Sequence, residues 1–148
     1  MTTDTSERGL ERLICVAMTG HPCDPGQTIE NFEQLYSGST GWICGNPNDY
    51  DRGYCVDLAQ LASFLKITQP EVIETLDLGQ DSPTRRNFLS RLQGEISKRG
   101  TIHVLRHGIK HGPHQLDLFY GTPTLGNQRA EASYAANRFS VTRQLRYS

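Results

Sequence analysis

The sequence predicts an α+β fold, N-terminal helices followed by a small antiparallel or mixed sheet, and three observations carry that expectation. Before residue 100, apolar residues recur at helical spacing in four stretches. After Gly100 the spacing shortens to two, the period of a strand. Helix starts and stops are also marked, most clearly by Ser82–Pro83 at one end of a segment and Gly100 at the other. With 148 residues the chain suits one domain, with a helical region over about 6–99 and a hairpin-and-strand region over about 100–148.

The first helix runs from Ser6, whose hydroxyl can cap it, to about Met18, with Gly20 placed to close it. Leu10, Leu13, Ile14 and Ala17 form its apolar stripe, and Glu7 and Glu11 share a face one turn apart that continues into Ile14 and Met18. His21 to Asn48 is rich in Gly, Pro, Ser and Asn and reads as an irregular connection, with a short helix at most over Thr28–Tyr36 and Trp42 as its anchor on the core. A helix from about Cys55 to Lys66 presents Leu58, Leu61, Ala62 and Leu65. A second short helix starts at Pro70 and presents Val72, Ile73, Leu76 and Leu78. The best-marked helix follows, with Ser82 as cap, Pro83 in the first turn, Phe88, Leu89, Leu92 and Ile96 inward, and a basic remainder of Arg85, Arg86, Arg91, Lys98 and Arg99.

Beyond Gly100, Thr101–Lys110 and Gln115–Tyr120 are β-rich runs joined at His111–Gly112–Pro113–His114, a hairpin turn. A short helix over about Asn127–Ala136, with Ala130, Tyr134 and Ala135 inward, leads into a strand over Phe139–Ser148. On that strand Phe139, Val141, Leu145 and Tyr147 share the apolar side, and Arg143 interrupts it. The pattern still runs at Ser148, so the expectation is a piece of a larger domain whose exposed strand edge favours self-association.

A net charge of −1 conceals an asymmetry. Residues 1–81 hold 13 acids against four bases, and residues 82–148 hold 11 bases against three acids. Such a split favours a polyanionic partner, nucleic acid first, unless the two halves neutralise each other in the fold. No apolar run is long enough to span a bilayer and the first residues lack a signal-peptide layout, so a cytoplasmic protein with no membrane contact is expected. Cys15, Cys23, Cys44 and Cys55 show no CxxC spacing and read as reduced, unpaired thiols. His103, His107, His111 and His114 recur at intervals that would gather metal ligands on a helix, but Gly108, Gly112 and Pro113 argue against a helix there. Phosphate-binding loops, GxSxG, HExxH and EF-hand patterns are all missing.

Several segments resemble one family in order along the chain. Ser6–Glu11 (SERGLE) resembles the SE-x-x-[LF]-E opening helix of the N-terminal nuclease domain in the R subunit, the motor and cleavage subunit, of type I restriction enzymes. Asp49–Asp51, Asp57 and Phe64–Pro70 (FLKITQP) resemble one branch of that family. Gly100–Gly112 (GTIHVLRHGIKHG) and Asp117–Pro123 (DLFYGTP) are similar to its hairpin, and Asn137–Ser148 (NRFSVTRQLRYS) to its N-x-F-x-V-x-x-Q strand.

The resemblance implies a restriction-endonuclease-like α/β domain, here incomplete. In the family an Asp, then NGLP, then Glu-x-Lys follow and hold Mg²⁺, and an ATP-driven motor comes after them; none of these motifs occurs in the 148 residues. Mg²⁺ and ATP are therefore implied for the intact subunit and no cofactor for this chain. Glu11, and beside it Glu7, match the first-helix carboxylate near the family's metal site. The implied partners are double-stranded DNA and the modification and specificity subunits, with Arg85, Arg86, Arg91, Arg143 and Arg146 as the candidate DNA contacts. The expectation is a catalytically silent fragment of that R subunit. The alternative is a standalone, non-catalytic domain that binds nucleic acid or protein through its basic second half.

Overall fold

The computed structural model describes residues 5–24 and 42–145. Thr28–Tyr36 and the last three positions, Arg146 included, lie outside the described residues. Helices and short strands are mixed, which makes the class α+β. The chain divides into two compact units, Met1–Arg52 with Arg138–Ser148 and Gly53–Asn137. Among the described residues no helix is long and apolar enough to cross a membrane.

In the first unit, helix α1 spans Glu7–Thr19. The Ser6 hydroxyl accepts from the Gly9 amide at 3.1 Å, and Gly20 closes the helix in the left-handed region (φ 79°). Both ends lie where the sequence marks them. The inward face differs: Leu10, Leu13, Ile14 and Val16 are exposed, while Gly9, Cys15 and Thr19 are buried. Small side chains let the helix approach strand β1 (Trp42–Cys44), a three-residue apolar run between two glycines that the sequence reading passed over. After a 3₁₀ turn at Pro47–Asp49 and strand β2 (Tyr50–Asp51), the chain leaves this unit. It returns as a parallel partner of β1 over Phe139–Val141, with Trp42 beside Phe139, Ile43 beside Ser140 and Cys44 beside Val141. The Trp42 and Phe139 rings lie 5.4 Å apart.

Cys23 and Cys44 form a disulfide, their Cα atoms 5.4 Å apart, which overturns the expectation of four unpaired thiols. They are 21 residues apart in sequence, and only the fold brings them together, so no spacing motif could announce the bond. Cys15 and Cys55 form no disulfide.

The second unit holds the apolar core. Strand β3 (Val56–Asp57) feeds helix α2 (Leu58–Thr68), whose first turn is capped by the Asp57 carboxylate accepting from the Gln60 amide. Helix α3 (Pro70–Leu76) follows, then α4 (Pro83–Arg99), with Ser82 accepting from the Arg85 amide and Gly100 closing the end. Phe64, Leu65, Leu76, Phe88, Leu89 and Leu92 from these helices are buried together.

Thr101–His107 is helix α5, not a strand. Gly100 (φ 89°) and Gly108 (φ 66°) take the left-handed conformations that let a two-turn helix start and stop, and only Val104 within it is fully buried. A strand would have sent the β-branched Ile102 the same way as Val104, whereas the helix leaves Ile102 exposed. The expected hairpin does form, from β4 (Ile109–His111) and β5 (His114–Leu116) around Gly112–Pro113. It stops at Leu116 because the Gln69 side-chain amide takes both backbone groups of Asp117, at 2.8 and 3.0 Å. Leu118 and Tyr120 still pack on the core from outside any strand. Helix α6 (Gln128–Ala135) starts at its Asn127 cap, but it buries no residue, and Tyr134 and Ala135 face outward. Asn137 then clamps Tyr120, accepting from its amide and donating to its carbonyl. The final strand, β6, covers only Phe139–Val141.

Candidate functional site

The two first-helix carboxylates and the segment after β6 share one cavity of about 510 Å³, lined by Glu7, Glu11, Cys15, Val141, Arg143 and Gln144 among others. Each arrives by a separate route. Helix spacing puts Glu7 and Glu11 on successive turns. Arg143 lies two residues past the end of β6 at Val141, at the position that interrupts the apolar alternation. Arg143 is 8 % exposed.

A buried guanidinium needs acceptors for its fixed fork of donors, and here they come from two segments. Its Nε donates to Glu11 Oε2 at 3.2 Å, and its Nη1 donates to the Pro22 carbonyl at 2.9 Å and to Asp24 Oδ1 at 3.0 Å. Asp24 also pairs with Arg12 at 3.2 Å, and the Gln144 amide donates to the same Glu11 oxygen at 2.9 Å. Gln144 adopts a left-handed backbone (φ 59°), a conformation costly for a residue with a Cβ.

These contacts set the ionisation. The Gln144 amide holds the Glu11 carboxyl below the usual glutamate range, with Arg143 acting in the same direction against partial desolvation. Burial pushes the Cys15 thiol up, partly offset by Arg143, so Cys15 is a neutral thiol rather than a nucleophile. The site is a pair of carboxylates, Glu11 and Asp24, bridged by Arg143, with Arg12 also on Asp24, beside a cavity.

The residues present do not fit a catalytic Mg²⁺. The cation needs carboxylate oxygens free to coordinate it, and Arg143 already bridges Glu11 and Asp24. Among the described residues, no three His, Cys, Asp or Glu side chains gather as a metal set. His103 and His107 do meet, with ring centroids 4.4 Å apart on α5.

The candidate DNA contacts are divided between the two units. Arg143 is committed to carboxylates. On α4, Arg85 and Arg86 both reach Asp81, and Arg91 and Arg99 flank Glu95. The Arg85 side chain is mostly buried, while Arg86 and Arg91 are half exposed. Arg146 lies outside the described residues. Sequence reasoning missed Asp24 and Gln144 as partners in the site; the interruption by Arg143 was the one available sign that a buried cation needed anions nearby.

No protein-family model, curated protein or solved structure matches the chain.

Proposed function

We propose that these residues form the front of a restriction-endonuclease-like nuclease domain of a type I R subunit, one that contributes scaffold and duplex-DNA contact in the cytoplasm but no catalytic metal site of its own. The observation that carries this reading is the shared cavity, which joins Glu7 and Glu11 to the segment leaving β6. Both places carry the resemblance, the Asn137–Ser148 run most strongly. Three residues of the N-x-F-x-V-x-x-Q run also hold definite positions: Asn137 clamps Tyr120, Phe139 packs tilted against Trp42, and Gln144 holds Glu11. In the parent family Mg²⁺ and ATP would serve the intact subunit, alongside modification and specificity subunits.

The test is duplex binding and cleavage by the purified chain. Salt-sensitive binding to double-stranded DNA, with no strand breakage when Mg²⁺ is added, is the expected result. Mg²⁺-dependent cleavage that disappears in Glu11→Ala would overturn it.

A second reading, a non-catalytic binding module, draws on Lys98, Arg106 and Lys110, which are exposed and form no ion pair among the described residues. Neutralising these three together abolishes DNA binding on that reading. It leaves association with the modification and specificity subunits intact on the first.

A further inference from the structure

We propose that the Cys23–Cys44 disulfide is a redox latch on the carboxylate–arginine site: while it is closed it holds Pro22 and Asp24 against Arg143, and its reduction by a dithiol releases them. This does not rest on the nuclease reading. The argument begins with sequence adjacency. Pro22 and Asp24 flank Cys23, and both accept from the same Arg143 nitrogen. On the other side, Cys44 lies beside Val141 in the parallel ladder, two residues before Arg143, and Gly45 donates to the Val141 carbonyl at 2.9 Å. The disulfide thus closes a ring that runs from Arg143 through Asp24, Cys23, Cys44 and Val141 back to Arg143.

Two further features suit a latch. Cys23 holds a left-handed backbone (φ 52°), a conformation that a non-glycine residue keeps only when its surroundings impose it. Thr19, 1 % exposed, ties the end of α1 to this ring, donating to the Cys15 and His21 carbonyls and sitting 3.5 Å from both sulfurs. Cys23 and Cys44 are only partly buried, within reach of a small reductant, whereas Cys15 is 1 % exposed and its thiol is held neutral. The bond is thus open to exchange with an external dithiol. A thiolate of the dithiol attacks one sulfur and the S–S bond breaks through a mixed disulfide. The dithiol loses two electrons and two protons as it closes its own disulfide, and Cys23 and Cys44 each leave as a thiol.

The full chain is compared before and after excess dithiothreitol by counting thiols in denaturant, by amide exchange, and by emission of Trp42, the only tryptophan. Reduction raises the count from two thiols to four. Exchange at residues 20–24 and 142–145 then rises about tenfold or more, while residues 83–99 are unchanged. Trp42, two residues from Cys44, changes emission in step. The double variant Cys23→Ser/Cys44→Ser gives the reduced pattern with or without dithiothreitol. Asp24→Asn, with the disulfide intact, speeds exchange at 142–145 alone. Four free thiols in the untreated protein, a bond that survives excess dithiothreitol in the native state, unchanged exchange at 142–145 after reduction, or an equal rise in both units would each overturn the latch.

Discussion

Arg143 joins sequence to site at the level of single residues. Its interruption of an apolar alternation was visible in the sequence, and so was the alignment of Glu7 with Glu11. Its acceptors were not, because Asp24 and Glu11 lie 119 and 132 residues away. Truncating it removes the guanidinium from Glu11, leaves Asp24 with Arg12 alone, and leaves the Pro22 carbonyl without its donor. Arg143→Ala therefore destabilises the chain by about 2 kcal/mol or more in urea unfolding, and Arg143→Lys recovers only part of that, since an ammonium cannot reproduce the fork. A pH effect follows from Glu11. Its carboxyl sits below its ordinary value in the folded chain, so the unfolded chain binds the proton more readily. The stabilisation is present above the ordinary glutamate pKa and is lost as pH falls below about 4.3 through the lowered folded value. Unfolding midpoints measured from pH 6 down to 3 should fall less steeply in Glu11→Gln than in the parent.

At the level of elements, the inward faces of α2 and α4 were legible and that of α1 was not, while the expected start of α2 near Cys55 falls at Leu58. Ser6 and Ser82 cap the helices they were expected to cap, because capping is decided by three or four neighbouring residues, and Asn127 caps α6 in the same way. Ser82→Ala should cost about 1 kcal/mol, read as a shifted denaturation midpoint. Helix α1 turns its small residues inward and its leucines outward, a choice made by what packs beside it rather than by the periodicity. In α5 the β-branched composition suggested a strand, and flanking glycines with one buried contact at Val104 decided for a helix. The exit from α5 depends on Gly108: a Cβ there would collide with the Leu116 carbonyl oxygen, and its φ of 66° disfavours any other residue. Gly108→Ala should therefore cost about 2 kcal/mol or more and should disturb the β4–β5 hairpin amides specifically in an NMR spectrum.

Among the described residues, Gly53–Asn137 holds the large apolar cluster, and the other unit buries polar side chains beside a few apolar ones. In Gly53–Asn137, Phe88 is fully buried in the main cluster, so Phe88→Ala should cost about 3–5 kcal/mol and unfold that unit first. The other unit buries Cys15 and Ile43 but also Thr19 and Arg143, and it relies on its disulfide. Closing a loop of this length contributes about 3 kcal/mol in the chain-entropy account. Calorimetry under dithiothreitol should therefore lower or erase the transition of Met1–Arg52 with Arg138–Ser148 while leaving that of Gly53–Asn137 in place. Two transitions, rather than one, are expected, because each unit carries its own packing.

By itself the sequence determined the α+β class, the positions of the capped helices, the Gly112–Pro113 turn and the oddity of Arg143, since caps, turns and periodicity are fixed by residues a few places apart. Only the tertiary structure decided which face of α1 is inward, that Thr101–His107 coils, that Cys23 bonds to Cys44, and that Arg143 is shared by Glu11 and Asp24. Those outcomes depend on which surfaces meet, across 21 residues for the disulfide and 119 and 132 for Arg143, and burial energy at such contacts exceeds the fraction of a kcal/mol per residue that local preference supplies.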